Sequence, residues 1–389
     1  MLMETVKGFK DFTGDEARKR ESIRKILVES FELYGFEPAE TPVVEYKDFV
    51  KGDNDSDEAV SDIFRLSDKG ERDLALRYEM TFSLKRLMMG KKRPYKRYAI
   101  GPVFRDEPVS GNRLRQFTQC DVDTIGAEIK DEAEVLAVVK RVLNKLGIEF
   151  VININNRKLL NEILEKENIE KMDWEKVIKE IDKMDKQPED ETFNNLRNYM
   201  AQNLLEIFKQ PEKAFEKYEA YKEIKELKEY CKLYGVEVKF SPSLARGLSY
   251  YNGSVFEVKT KKIKETITAG GSFIFEGVQS TGLSFGLDRL SILVEKDIKE
   301  NERYMVLSIG QDEKAIEVVE KMRTRGYPCV LNSNNISKAL DYANSKNVDK
   351  VVFVGKKEIE GNNYKIKDLK TGKEEEVSGN KLFGDENGS

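Results

Sequence analysis

The 389-residue chain contains no histidine. That absence excludes Ser-His and Cys-His nucleophile pairs, helical zinc-protease motifs, Cys-His fingers and imidazole general bases. Cysteine is scarce: Cys120, Cys231 and Cys329 lie far apart, with no Cys-x-x-Cys pair, and read as buried or idle thiols of a reducing compartment. No apolar run approaches the ~18 residues of a membrane span, and the start, MLMETVKGFKDFTGDEARKR, has no apolar signal core. A cytoplasmic protein without membrane attachment is expected. An excess of positive charge is also missing, with 67 Lys plus Arg against 71 Asp plus Glu and a net charge of −4. A nucleic-acid partner would therefore need a local basic surface.

What is present suggests two or three domains. From Asp15 to Tyr34 apolar residues recur at helical spacing, with Gly35 as a stop. Lys96 to Glu107 and Leu114 to Gly126 read as an antiparallel hairpin around a turn centred near Gly111. Glu128 to Leu146 reads as a helix and Ile148 to Ile154 as a strand. Between Arg157 and Tyr234 the composition turns to Lys, Glu, Asn and Met, predicting an inserted helical module whose charge runs are a solvated surface. Strands are predicted at Val236 to Phe240, Tyr250 to Thr260 and Glu265 to Ala269, followed by a strand-to-helix segment, TGLSFGLDRLSILVEK. After Lys299 an alternating β-α-β-α-β pattern predicts a separate small sheet with helices packed on it.

In the hairpin, odd positions of both strands share a face. That face carries Ala99, Gly101, Val103, Arg105 and Glu107 opposite Arg115, Phe117, Gln119, Asp121 and Asp123. Polar side chains beside cleared space suit the floor of a small-molecule site, although the hairpin alone reads better as an ordinary solvated face with cross-strand ion pairs. Asp121 reads as a ligand or as a sheet-edge or loop partner. Tyr250 and Tyr251, alternating along a strand, should leave one ring in the core.

Several segments together resemble one family. FRDE followed by GNRLRQFTQCDVDTIG is similar to motif 2 of the class II aminoacyl-tRNA synthetases, in the wording of the histidyl enzymes. RGLSYYNGSVFE, from Arg246, resembles the histidyl signature. GLSFGLDRL resembles motif 3, YGFEPAETPVVE motif 1, and LALRYEMT the strand that binds the substrate amino group. The region after Asn334 is similar to the family's anticodon-binding domain.

The resemblance implies an α+β fold: a class II antiparallel sheet with flanking helices (1–156 and 235–299), a helical insertion (157–234) and a C-terminal α/β anticodon-binding domain (302–383). It implies a homodimer that joins L-histidine to tRNA(His) through a histidyl-adenylate, using ATP with Mg2+ and no metal cage of protein groups alone. Arg105, Arg246 and Arg289 would be the catalytic cations. Arg105 would hold the α-phosphate and the amino-acid carboxylate, Arg246 the α-phosphate, and Arg289 the γ-phosphate, while Glu107 would face the adenine amino group. Histidine would meet Glu79, Thr81 and Gln119 at its ammonium and Asp123, Tyr250 and Tyr251 at its ring, with Arg105 and Arg246 at its carboxylate end. Arg113 and Arg115 would contact the tRNA acceptor end or remain ordinary loop cations.

The chain departs from the commoner family wording at Ser249, at Ser272, Phe273 and Ile274, and at Tyr78 and Met80. Two alternatives stand beside the ligase: a regulatory paralogue of the kind that assists ATP phosphoribosyltransferase, and a class II synthetase-like enzyme for another amino acid.

Overall fold

The computed structural model describes residues 3–51, 62–109, 113–184, 187–246, 250–295 and 302–383. The chain forms two units, 1–298 and 299–389.

The first unit contains the strands β1 (Glu37–Pro38), β2 (Val44–Tyr46), β3 (Arg65–Ser67), β4 (Asp73–Leu76), β5 (Tyr95–Phe104), β6 (Gln116–Ile125), β7 (Val151–Asn156), β8 (Lys239–Phe240), β9 (Tyr251–Lys259), β10 (Thr268–Phe275) and β11 (Val278–Gly286). Among the described residues eight of them form one sheet in the order β1-β5-β6-β11-β10-β9-β7-β8, and β2-β4-β3 form a small second sheet. The large sheet is antiparallel except at its two short edge strands, which pair parallel.

One face of this sheet is covered by helices. Even-numbered Tyr98, Cys120 and Val122 join Leu283, Phe285, Phe256 and Val258 in a core with the Gly14–Leu33 and Ile129–Lys145 helices. The helices between Arg157 and Leu233 bury Ile163, Ile178, Leu204 and Ile224 in the same core. Burying these side chains, at roughly 1.5–3 kcal/mol each, fixes which face of each strand looks inward. The opposite face is therefore free to carry polar groups.

The expected hairpin is present, with Ala99 opposite Asp121 and Gly101 opposite Gln119, so odd positions do share a face. Its tip, residues 110–112 including Gly111, lies outside the described residues, as does Ser249. The strand predicted at Glu265 to Ala269 instead runs Thr268–Phe275. Gly270 and Gly271 do not stop it. They sit in the ladder because a Cβ at Gly270 would meet the Leu283 backbone at 2.7 Å, so only glycine permits this approach. The strand predicted at Val236 to Phe240 shrinks to β8, two residues long, and that predicted at Ile148 to Ile154 is shifted to β7.

The second unit is a five-strand sheet with its strands running Cys329–Asn332, Tyr304–Ser308, Lys350–Val354, Asn363–Asp368, Glu374–Ser378 across it. The Asp312–Thr324 and Ile336–Ser345 helices bury Ala315, Val319 and Met322, and Ala339 and Ala343, against it.

Candidate active site

The uncovered face of the large sheet has a low centre. Register places Gly282 beside Asp123, Ser284 beside Asp121 and Gly286 beside Gln119, while Gly271 and Ala269 continue the same face on β10. At these positions the absent side chains make room for neighbours lying along the sheet. A Cβ on Gly101 would collide with the Arg77 guanidinium, and one on Gly282 with the Asp123 carboxylate. At Gly271 the Tyr251 ring lies 2.8 Å from where a Cβ would be.

Charged groups ring this floor from separate segments. Glu79 and Thr81 follow β4. Arg105 and Glu107 follow β5, Arg113 and Arg115 precede β6, Arg246 precedes β9, and Arg289 lies in the first turn of the helix after β11. Arg105 donates through Nε to the Tyr78 carbonyl at 3.2 Å and lies over the Phe117 ring at 5.2 Å. Arg289 donates through Nη1 to the Thr266 carbonyl at 2.7 Å. Burial depresses the Arg289 pKa; Glu265 opposes that, and the like charges of Arg105, Arg113 and Arg246 add to it. Three guanidinium groups from other segments are thus near enough to Arg289 to repel it. Such a concentration of cations over a sheet floor has the charge that an anionic ligand needs.

Beside it lies a carboxylate pocket. Asp121 and Asp123 are both 3% exposed. The Asp123 carboxyl is pushed up to about 7 by burial, which the Arg97 charge opposes and Asp121 reinforces. Glu79, half-buried, is also pushed up to about 7 by burial and by Asp121, with Arg105 opposing. Gln119 Oε1, Asp121 Oδ1 and Arg246 Nε are buried polar atoms without a protein hydrogen-bond partner. Buried polar atoms are rarely left unpaired, so these would suit a polar ligand.

Tyr251 is the ring buried in an apolar cluster, with Leu244 and Val255; Tyr250 is only partly buried, and because β9 begins at Tyr251 it escapes the strand alternation, its ring 4.6 Å from that of Tyr251. Several expectations change. Asp121 is no edge residue, since β6 lies between β5 and β11. Glu107 pairs with Arg113, while Arg115 donates to the Glu107 carbonyl at 3.0 Å and contacts Asp106 at 3.2 Å. Phe273, one of the departures, packs edge-on to Tyr250, and Ser272 turns to the helical side and donates to Glu132. Arg97, unremarked in the sequence, faces Asp123 across the hairpin. Following the odd positions one step back from Ala99 would have found it. Arg77 and Met80 also reach this face, from the LALRYEMT segment, but strand alternation in the hairpin could not place them because that segment lies outside the large sheet. No cluster of three acidic or thiol groups able to hold a metal occurs among the described residues.

A sequence model described as histidyl-tRNA synthetase matches residues 8–290, and one described as anticodon binding domain matches residues 301–384. The chain belongs to the histidyl-tRNA synthetase family. Histidine–tRNA ligase 1 of Bacillus cereus is 32% identical over 97% of this chain and 98% of its own length. The histidine–tRNA ligase of Wolinella succinogenes is 32% identical over 95% and 94%. Among solved structures, histidyl-tRNA synthetase from Nostoc sp. PCC 7120 superposes with a TM-score of 0.86 at 22% identity, covering 98% of both chains. An ATP phosphoribosyltransferase regulatory subunit/histidyl-tRNA synthetase from Bacillus halodurans reaches 0.74 at 22% identity, covering 90% of this chain and 98% of its own. These likenesses establish the α+β synthetase fold. As a class II synthetase the histidyl family uses ATP, and no described helix is long and apolar enough to cross a membrane.

Proposed function

We propose that the protein is a histidine–tRNA ligase, condensing L-histidine with ATP to histidyl-adenylate and pyrophosphate and then passing the histidyl group to tRNA(His), with release of AMP. The observation that carries this reading is that Arg105 acts both on Arg289, together with Arg113 and Arg246, and on Glu79, which Asp121 and Asp123 also face. A cationic field adjoining an acidic pocket suits a triphosphate and an amino acid with a basic ring.

Adenylate formation needs no general base, because the attacking carboxylate is already ionised and pyrophosphate is a competent leaving group. A chain without histidine loses nothing here. The reaction does require two anions brought together in line and charge stabilised on the transferring phosphoryl group. Arginine suits both tasks because it stays charged and presents forked donors. In this reading Arg105 spans the amino-acid carboxylate and the α-phosphate, Arg246 offers its unpartnered Nε at the α-phosphate, and Arg289 takes the γ-phosphate. Glu107 takes the adenine amino group. Glu79, Thr81 and Gln119 receive the ammonium; Asp123, with Tyr250 and Tyr251, receives the imidazole, and a hydrogen-bonding carboxylate there discriminates against apolar side chains of similar size. Magnesium bound with ATP would supply charge neutralisation to the triphosphate. Arg113 and Arg115 are proposed for the acceptor end of tRNA, residues 302–383 for its anticodon, and a homodimer for the active form, in the cytoplasm.

Histidine-dependent ATP–pyrophosphate exchange followed by tRNA charging tests the proposal. Absence of exchange with histidine overturns it. Exchange with another amino acid would reassign the substrate, and histidine binding without exchange would favour the regulatory paralogue.

A further inference from the structure

Arg97 is among the largest fully buried side chains in the described protein, at 1% exposure. It stands on β5 directly opposite Asp123 on β6. Its Nη2 forms an ion pair with Asp123 Oδ2 at 2.7 Å without hydrogen-bond geometry, and donates to the Met80 carbonyl at 3.2 Å. Met80 is the residue between Glu79 and Thr81. One guanidinium nitrogen therefore joins the strand that carries the ring-binding carboxylate to the segment that carries the ammonium-binding pair.

A guanidinium at this depth is expensive. Pairs of buried ions are commonly replaced by apolar residues without loss of stability, so stability alone is a weak reason for Arg97. Without it no other cation among the described residues opposes displacement of Asp123: Gly282 leaves open space beneath the carboxylate, and the Asp121 carboxylate adds like charge. Met80 also packs with Ala99, Val103 and Phe117, and the residues before it are tied to the end of β5 by Phe104 N–H to the Arg77 carbonyl and Arg105 Nε to the Tyr78 carbonyl, so the Arg97 contact adds the link from this segment to Asp123.

We propose that Arg97 is the positioning residue of the amino-acid pocket, holding Asp123 and the Glu79–Thr81 segment at the spacing that lets one ligand meet both. This rests on the histidine reading above. Arg97 touches neither nucleotide nor reacting atoms; it acts through the groups on either side of it, and its effect belongs to amino-acid binding.

The test is pyrophosphate exchange by the full-length protein with Arg97→Met, Arg97→Lys and the double variant Arg97→Met/Asp123→Asn. The expected result for Arg97→Met is a tenfold or greater rise in the KM for histidine with the KM for ATP within threefold of the parent. The Ki of histidinol, which lacks the carboxylate assigned to Arg105, should rise by the same factor. Arg97→Lys, retaining charge without the fork, should recover part of the loss. The double variant removes the unpaired acid that could prevent folding, and should recover stability but not histidine affinity. A parental histidine KM in Arg97→Met, or in the double variant should the single one not fold, overturns the proposal, as does a loss confined to kcat. If the parent protein itself fails to exchange with histidine, the functional reading falls, and Arg97 as its positioning residue falls with it.

Discussion

Arg20 Nη1 donates to Asp288 at 2.8 Å, and Arg20 Nη2 donates to Thr118 Oγ1 at 3.1 Å. Asp288 in turn accepts from the Thr118 backbone N–H at 2.9 Å. The opening helix, the centre of the sheet and the helix bearing Arg289 are thereby tied at one point, with Arg20 also stacked 3.8 Å over Phe12. Arg20→Met should cost about 1–3 kcal/mol of stability, as expected for a charge left without its hydrogen-bond partner. It should also raise the KM for ATP severalfold while leaving that for histidine unchanged. Urea unfolding and exchange kinetics read the two effects separately, and an unchanged ATP KM would mean that the tie does not position Arg289.

Arg246 approaches the site with its Nε unpartnered. Removing one donor aimed at developing charge typically costs ~2.7–4 kcal/mol of transition-state stabilisation. Arg246→Ala should therefore lower the single-turnover rate of adenylate formation by about 100- to 1000-fold. An unaltered rate constant would contradict its assignment.

At Gly282 a Cβ would fall on the Asp123 carboxylate and 2.8 Å from the Val122 carbonyl. Gly282→Ala should displace Asp123 and cost about 1–3 kcal/mol as an overpacking change. A histidine KM elevated well beyond the ATP KM is the expected signature, measured alongside thermal unfolding. Equal effects on both substrates would show a general loss of fold instead.

Histidine binding should weaken as the medium becomes more acidic. The Glu79 and Asp123 carboxyls each lie at about 7, so below neutrality they protonate and lose their negative charge toward ammonium and ring N–H. Apparent affinity should fall up to about tenfold per pH unit for each group required ionised. No protein imidazole can mimic this inflection, because the chain has none. The ligand's own ring can, and a ring-fluorinated histidine that stays neutral in this range separates the two. Loss of the inflection with that analogue would assign it to the substrate.

Stability follows the opposite slope. Glu132, 5% exposed on the helical side of the sheet, is pushed up to about 7 by burial despite donors from Ser254 and Ser272. Between about pH 4.3, where an unfolded glutamate titrates, and 7 the folded chain holds a proton that the unfolded chain has released. This group therefore favours folding at the acidic end and disfavours it as pH rises. Glu132→Gln should raise the melting temperature at pH 8 and leave it nearly unchanged at pH 4.5. A larger gain at the acidic end would refute this account.

The hairpin face was legible because strand side chains alternate with a period of two and the turn sets the register. Ala99, Gly101, Gln119 and Asp123 fall where that rule places them. The same rule failed at Tyr250, which lies one residue outside its strand, and at Gly270 and Gly271, where close approach of β11 holds a strand that local propensity would end. Arg97 was within reach of the rule, whereas Arg77 and Met80 were not, since they arrive from a segment that joins the face only through tertiary packing.

Composition and alternation by themselves determined which chemistry is excluded, where the helices and most strands lie, and which side of the hairpin is polar; these are local properties, set by neighbours along the chain. Only the tertiary structure decided that Arg105, Arg246 and Arg289 share one field and that Asp123 answers to Arg97. Coulomb forces act through space, and the order in which β5, β6, β11, β10 and β9 pair, rather than their order in the chain, brings those charges together.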